Sequence, residues 1–277
     1  MARARANGVD LFYDLHGDGG NGAEPLVLVH GSWIDHRTWR DLVPHLARSF
    51  RVLAYDRRGH GRSASPPGRG SRRQDEDDLA ALIEALDLAP AHVVGNSFGA
   101  ATALGLAARR PELLRSLAAH EPPLVGVVPG RDFHVQGARD SLAAVRAALR
   151  AGESEAAARC FVEEVALGPG VWPQLPRALR ELFVANAPTF ADELADPHWC
   201  TLDLAALSGY QGPALLTSGS LSPAWFPPIL AELAPALGRA RVRTLEGDGH
   251  DPHVAHPARY ADTLTAFIRD SGRPTAP

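Results

Sequence analysis

The pentapeptide Gly95-Asn96-Ser97-Phe98-Gly99 constrains this chain more than any other stretch. It follows the apolar run Ala91 to Val94 and precedes a long Ala/Leu-rich segment with helical spacing. Between a strand and a helix, G-x-S-x-G makes a sharp turn that lifts its serine clear of the sheet. The flanking glycines are required there because a Cβ would collide with neighbouring backbone. With 26 glycines in the chain the pentapeptide alone is a weak signal, and the strand before it and helix after it make it specific.

The 277 residues suffice for one large domain, or a domain with an insertion, and 45% apolar content supplies its core. A formal net charge of −4 gives no basic footprint for nucleic acid, and no apolar run is long enough to span a bilayer. All 28 basic residues are arginine, which reads as codon bias and carries no mechanism. Arg3 and Arg5 are not followed by the apolar core of a signal peptide, and Cys160 and Cys200 are too few for a disulfide framework. A cytoplasmic protein is expected, with a small molecule as its partner rather than nucleic acid or membrane.

Short β-rich runs alternate with helical patterns, the mark of a mainly parallel sheet with helices on both faces. Asn7-Gly8 signals a tight hairpin between Ala2 to Ala6 and Val9 to Leu15. Buried strands are expected at Pro25 to Val29, Arg51 to Tyr55, Ala91 to Val94, Arg115 to His120, Pro213 to Thr217 and Arg241 to Leu245. Helices are expected at Arg37 to Ala47, Gln74 to Leu86 and Ala100 to Arg109, with a terminal one beginning near Pro257. Asp18 to Pro25 and Ser65 to Ser71 read as loops, and Gly272 to Pro277 as a frayed tail.

The rhythm stops after Glu121. From Pro122 to about Leu207 there is no convincing strand, but helical patterns run over Arg139 to Arg150, Ser154 to Ala166 and Pro176 to Ala187. An all-helical insertion between strands of one sheet reads as a lid, because loops at the carboxyl ends of parallel strands border the ligand crevice. The expected division is a core of residues 1–121 and 208–277 with a helical lid of residues 122–207. Trp172, Phe183, Phe190 and Trp199 either wall a pocket or pack the lid against itself.

Serine is a poor nucleophile until a base takes its proton. Of the 12 histidines, His250 in Gly247-Asp248-Gly249-His250 stands best, directly after the last expected strand and before the terminal helix. From there it can swing over the strand edge toward Ser97, with His253 and His256 as competitors deeper in the loop. A tetrahedral oxyanion needs two fixed donors. The Phe98 N–H, at the start of a helix, is one candidate. Ser32, after the tight turn that Gly31 permits, is the other, and Trp33 either lines the pocket or packs. No Cys/His/Asp cluster has metal-ligand spacing, and there is no phosphate-binding glycine loop.

Together these residues resemble the α/β-hydrolase superfamily over almost the whole chain. The resemblance rests on His30-Gly31 after the third strand, Asp56-Arg57-Arg58-Gly59-His60-Gly61-Arg62-Ser63 after the fourth, the turn at Ser97, and Gly249-His250 near the end. It implies an eight-stranded, mainly parallel α/β sheet, a serine nucleophile and no cofactor. It also implies that the stretch from Asp56 to Ser63 is a structural turn, so Asp56 and His60 are not catalytic candidates.

One departure matters. The family usually carries its acid after the seventh strand, where this chain reads Ser218-Gly219-Ser220-Leu221-Ser222-Pro223, with Ser222 in the aspartate's place. A hydroxyl can orient a histidine but hardly stabilises an imidazolium. Glu121 ends the sixth strand, which the family's sheet order puts between the serine's strand and the seventh, one spacing of about 4.8 Å from each. Its carboxylate is the expected acid, an arrangement that resembles certain natural-product thioesterases; the bland role is to cap a lid helix behind Pro122-Pro123. Asp248 and Asp251 remain as substitutes.

The expected activity is hydrolysis of an ester, thioester or lactone of a hydrophobic small molecule through an acyl-enzyme on Ser97. A carbon-carbon bond hydrolase is the alternative, although the glycine-rich oxyanion loop of that group is replaced by Ser32-Trp33. A non-hydrolytic binding protein or isomerase on the same fold is the reading from another class, supported only by the missing acid at Ser222.

Overall fold

A computed structural model describes residues 2–17, 23–65, 70–130 and 132–271. Most of the two expected loops, and the tail expected over Gly272 to Pro277, lie outside the described residues. Eight strands form one sheet: β1 (Ala2–Ala6), β2 (Val9–His16), β3 (Glu24–Val29), β4 (Phe50–Tyr55), β5 (Ala91–Asn96), β6 (Leu114–His120), β7 (Ala214–Gly219) and β8 (Ala240–Leu245). Their spatial order is β1-β2-β4-β3-β5-β6-β7-β8. Asn7 and Gly8 take left-handed backbone (φ 46° and 74°), closing the β1–β2 hairpin as their chemistry predicts. Only the β1–β2 and β2–β4 pairings are antiparallel; every pairing from β4 through β8 is parallel.

The near-continuous apolar runs of the central strands follow from burial on both faces. Leu26 and Leu28 of β3 point into a layer with Trp39, Leu42, Leu264 and Phe267, while Val27 and Val29 join the layer of Leu79, Ile83, Leu104 and Leu106. Helices α2 (Arg72–Ala85) and α3 (Phe98–Arg109) cover that second face, and α11 (Pro257–Ser271) covers the first, starting at Pro257 as read from sequence.

Three expectations shift. The helix expected over Arg37 to Ala47 is two pieces, a 3₁₀ turn at His36–Trp39 and α1 at Val43–Leu46. Pro44 explains the break, since its ring cannot follow a helical carbonyl four residues earlier. Strand β8 is an edge strand: Arg241 to Thr244 are exposed rather than buried. The first helix after β6 begins earlier, at Phe133 rather than Arg139, and the described residues of the segment hold five α-helices where the sequence pattern suggested three.

That segment comprises α4 (Phe133–Arg150), α5 (Ser154–Cys160) running into a π-helical turn at Phe161–Ala166, α6 (Arg177–Ala185), α7 (Ala187–Ala195) and α8 (Leu204–Leu207). Among its described residues there is no strand. Asn186 separates α6 from α7, its side-chain amide donating to the Trp33 carbonyl at 2.8 Å, so the break is also a tie to the core. The chain returns through β7 to α9 (Phe226–Leu233), then β8 and the short α10 (Pro252–Ala255). No helix among the described residues is long and apolar enough to cross a membrane.

Candidate active site

The carboxyl ends of β3, β5, β6, β7 and β8 converge, as in open α/β sheets generally. Ser97 stands between β5 and α3 at φ 55°, ψ −124°, a conformation that costs a non-glycine residue about 1–3 kcal/mol. Its neighbours allow nothing else: a Cβ on Gly95 would run into the Gly99 carbonyl, and one on Gly99 into the Val29 carbonyl of β3. The Ser97 N–H donates to the His120 carbonyl at 2.9 Å, which fixes the turn against β6.

His250 follows β8 in a loop that folds back over the sheet. The Asn96 side-chain amide donates to the His250 carbonyl at 2.8 Å, and the Phe226 ring stacks on the imidazole at 5.2 Å between centroids. His250 Nδ1 lies 2.6 Å from Glu121 Oε2, while Glu121 Oε1 accepts the Gly219 N–H at 2.7 Å. Glu121 is fully buried, and its backbone is left-handed at φ 49° as it continues the ladder onto the Thr217 carbonyl. Burial alone would raise its carboxyl pKa, but the hydrogen bond from His250 and the nearby His120 outweigh it, and the net shift is downward. For His250 burial lowers the pKa, yet Glu121 overrides it and the net shift is upward. The proton therefore sits on Nδ1, leaving Nε2 as an acceptor.

Among the other candidates, Asp248 and His253 are paired elsewhere, and Ser222 and Asp251 make no side-chain hydrogen bond to His250. Ser222 Oγ is buried with no hydrogen-bond partner among the described residues. Asp248 pairs with His256 and Arg259, and His253 is buried against Trp39 with Nε2 2.8 Å from Thr38 Oγ. The Asp251 carbonyl accepts the Val254 and Ala255 N–H groups at 3.0 Å each, but its side chain makes no hydrogen bond to any described residue and does not cap α10; Asp251 faces one of the cavities at Ser97.

Ser32 and Phe98 flank Ser97, and neither backbone N–H has a partner among the described residues. The Ser32 hydroxyl donates to Glu193 Oε2 of α7 at 2.5 Å. Trp33 is fully buried among Phe161, Phe183 and Phe190, at 5.4, 6.0 and 4.7 Å between ring centroids. It packs against the helical segment and faces neither cavity at Ser97, so the lining role expected for it gives way to the packing one.

Two cavities, of about 20 and 30 Å³, meet Ser32, Ser97 and His250. Apart from Asn96 and Asp251, which line one of them, their other walls are apolar: Leu142, Phe161, Val165, Phe183, Phe190 and Trp199 from the helical segment, with Trp225 and Phe226 from beyond β7. Trp172 lies outside them, edge-on to Phe183. Each cavity has room for about one water. Ser97 Oγ makes no hydrogen bond to His250; such contacts commonly tighten only when substrate binds.

The stretch from Asp56 to Ser63 is held as a turn. Asp56 accepts the N–H groups of His36 and Arg62 at 2.8 Å each, and Ser63 Oγ bridges the Phe12 N–H and the Asp56 carbonyl. Asp35, His36 and Asp56 come close enough together to ligate a cation. Their donor atoms are committed within the protein, Asp35 to Arg37 and Asp56 to His36 and Arg62.

Fold and site together define a class. Residues 26–263 match the model of the alpha/beta hydrolase family, and the chain belongs to that family. It is 29% identical over 271 residues to 2-hydroxymuconate semialdehyde hydrolase of Pseudomonas sp. (strain CF600), covering 93% of this chain and 90% of the relative. A shorter match, 42% identical over 99 residues, is to the dihydrolipoyllysine-residue acetyltransferase component of the acetoin cleaving system of Pseudomonas putida. It spans 36% of this chain but 27% of that protein. Among solved structures, the enol-lactonase from Burkholderia xenovorans LB400 superposes with a TM-score of 0.79 at 25% identity, covering 96% of this chain and 99% of that one.

Proposed function

We propose that the protein is a serine hydrolase that cleaves an ester, thioester or lactone of a neutral, hydrophobic small molecule. Ser97 is the nucleophile, His250 the base and Glu121 the acid, with the Ser32 and Phe98 N–H groups as oxyanion donors. The observation that carries this reading is the 2.6 Å Glu121–His250 contact beside a strained serine that shares a cavity with the same imidazole. That carboxylate does the work Ser222 cannot, which favours hydrolysis over a binding protein. In the reaction, His250 Nε2 takes the Ser97 proton as Oγ attacks the carbonyl, then returns it to the leaving group. Water repeats the two steps to free the acid.

The apolar walls support a hydrophobic body on the substrate. No arginine lines either cavity, and Asp251 faces one of them, so a substrate carboxylate would find no cation there. This observation weighs against the carbon-carbon bond hydrolase reading, since the relative's muconate is an anion by name. That relative's 93% coverage of the chain keeps it as the second reading. Cavities of about 20 and 30 Å³ admit no acyl chain, so the helices from α4 to α7 act as a lid that moves aside. A cytoplasmic setting, without nucleic-acid or membrane partners, suits the two free cysteines.

A fluorophosphonate probe tests the central claim. Stoichiometric labelling of Ser97, blocked in Ser97→Ala, is expected; an unreactive Ser97 would refute it. Hydrolysis of neutral aryl esters but not of vinylogous keto-carboxylates would then separate the two readings.

A further inference from the structure

One candidate oxyanion donor, the Ser32 N–H, rests on a buried ion pair, and half of that pair comes from the helical segment. Arg57, 1% exposed, donates from Nη2 to Glu193 Oε1 of α7 at 2.5 Å and to Asp75 of α2 at 3.0 Å. Its Nη1 donates to the Gly31 carbonyl at 3.2 Å, and its guanidinium lies 4.5 Å over the Phe98 ring. His30 Nδ1 donates to the same Gly31 carbonyl at 2.8 Å, while His30 Nε2 accepts the Arg57 N–H at 3.0 Å.

These bonds decide where one oxyanion donor points. In a trans peptide the carbonyl of one residue and the N–H of the next point in opposite directions. Drawing the Gly31 carbonyl onto Arg57 and His30 therefore turns the Ser32 N–H the other way. Glu193 holds the second end of the same unit by accepting the Ser32 hydroxyl at 2.5 Å.

Two buried carboxyls, Asp75 and the 5% exposed Glu193, share the single Arg57 guanidinium. Burial raises the pKa of both against the opposing pull of Arg57, so the cluster is weak evidence of added stability.

We propose that Glu193 and Arg57 are positioning residues that orient the Gly31–Ser32 peptide, so that seating α7 on the core and completing the oxyanion hole are one event. An enzyme with its helices displaced has the triad but lacks one aimed donor. The inference rests on the serine-hydrolase reading.

The test compares Glu193→Gln and Ser32→Ala with the parent. An amide offers one acceptor where the carboxylate offers two, so Glu193→Gln cannot satisfy both Arg57 and Ser32 in the same way. Ser32→Ala removes only the hydroxyl tie and keeps the backbone donor. With p-nitrophenyl acetate, kcat is expected to fall about 10- to 100-fold in Glu193→Gln and about 3- to 10-fold in Ser32→Ala, with KM within about threefold. Phenylboronic acid, which forms a tetrahedral adduct on the serine, should inhibit each variant more weakly by a factor that follows kcat/KM. A structural role alone would lower the melting temperature and leave boronate affinity untouched.

If both folded variants keep kcat and boronate affinity within about twofold of the parent, the positioning role is overturned. Should Glu193→Gln fail to fold, Ser32→Ala decides by the same measures. Fluorophosphonate labelling of the parent keeps the two failures apart. A parent that is not labelled overturns the hydrolase reading and this inference together, whereas a labelled parent with unaffected variants overturns this inference alone.

Discussion

Glu121 spans two strands: one carboxylate oxygen takes the Gly219 N–H at the end of β7 and the other takes His250 Nδ1. The acid is thereby oriented by backbone rather than by a mobile loop, and its left-handed φ of 49° is the cost of turning it back over the sheet. Removing the charge while keeping the shape, Glu121→Gln is expected to lower kcat by about three to four orders of magnitude. Ser222→Ala should cost less than about tenfold, as the Ser222 hydroxyl is a lesser influence on the Glu121 carboxyl than His250 and His120. Ser222→Asp in the Glu121→Gln background should recover part of the rate. Steady-state kinetics on one ester decide it: near-parent turnover in Glu121→Gln would make another residue the acid.

Ser97→Ala should abolish turnover, by about a millionfold, while leaving the melting temperature close to the parent's or above it. The hydroxyl adds little packing, and the strain at φ 55° remains with either residue. Residual activity above about one-hundredth of the parent would rule out the covalent route.

The pH profile carries a sign. The proposed mechanism needs neutral His250, whose pKa is raised above its ordinary 6.5 by Glu121 against the opposing effect of burial. The acid limb of kcat/KM in the parent therefore lies above pH 6.5. In Glu121→Gln the anion that stabilised the imidazolium is gone, so the limb moves to lower pH even as the plateau collapses. An unmoved limb would show that another group governs it.

Phe161 lies against Trp33 and Phe190 and faces both cavities. Phe161→Ala should destabilise the protein by about 3–5 kcal/mol and shift preference toward longer acyl chains. A panel of p-nitrophenyl esters of increasing length reads this out; a uniform change across the panel would make the wall structural only.

Asp251→Asn tests the charge preference. At about pH 8 the ratio of kcat/KM for a succinyl monoester to that for its neutral analogue should rise about fivefold, matching ~1 kcal/mol of like-charge repulsion relieved. An unchanged ratio would mean Asp251 does not meet the substrate.

What the sequence disclosed was what lies close along the chain. The turn at Ser97, the loop at His250 and the apolar strand runs are local patterns, whereas the expectation for Glu121 needed the sheet order that the family resemblance implied. The rest depends on contacts between distant residues. Ser32 and Glu193 are 161 positions apart, and nothing in either neighbourhood announces the bond. Asn96 was visible only as a variable position in the pentapeptide, although its amide ties β5 to the His250 backbone. The exposure of β8 escaped because an edge strand with Val242 and Leu245 reads like an interior one until pairing is known.

With the proposed acid just past the end of β6, the loop directly after Gly219 carries no charge that the proposed chemistry needs. It runs through Leu221, 73% exposed, to Trp225 and Phe226 at the cavity. Substitutions of the exposed Leu221 side chain can therefore alter the approach to the cavity, provided the bonds from the Gly247 N–H to Ser220 Oγ and from the Leu221 N–H to the Asp248 carbonyl, which brace the loop of His250, are kept. In hydrolases with the acid on that loop, the same edits would change selectivity and reactivity together. Here evolution, or an engineer, can vary one and leave the other alone.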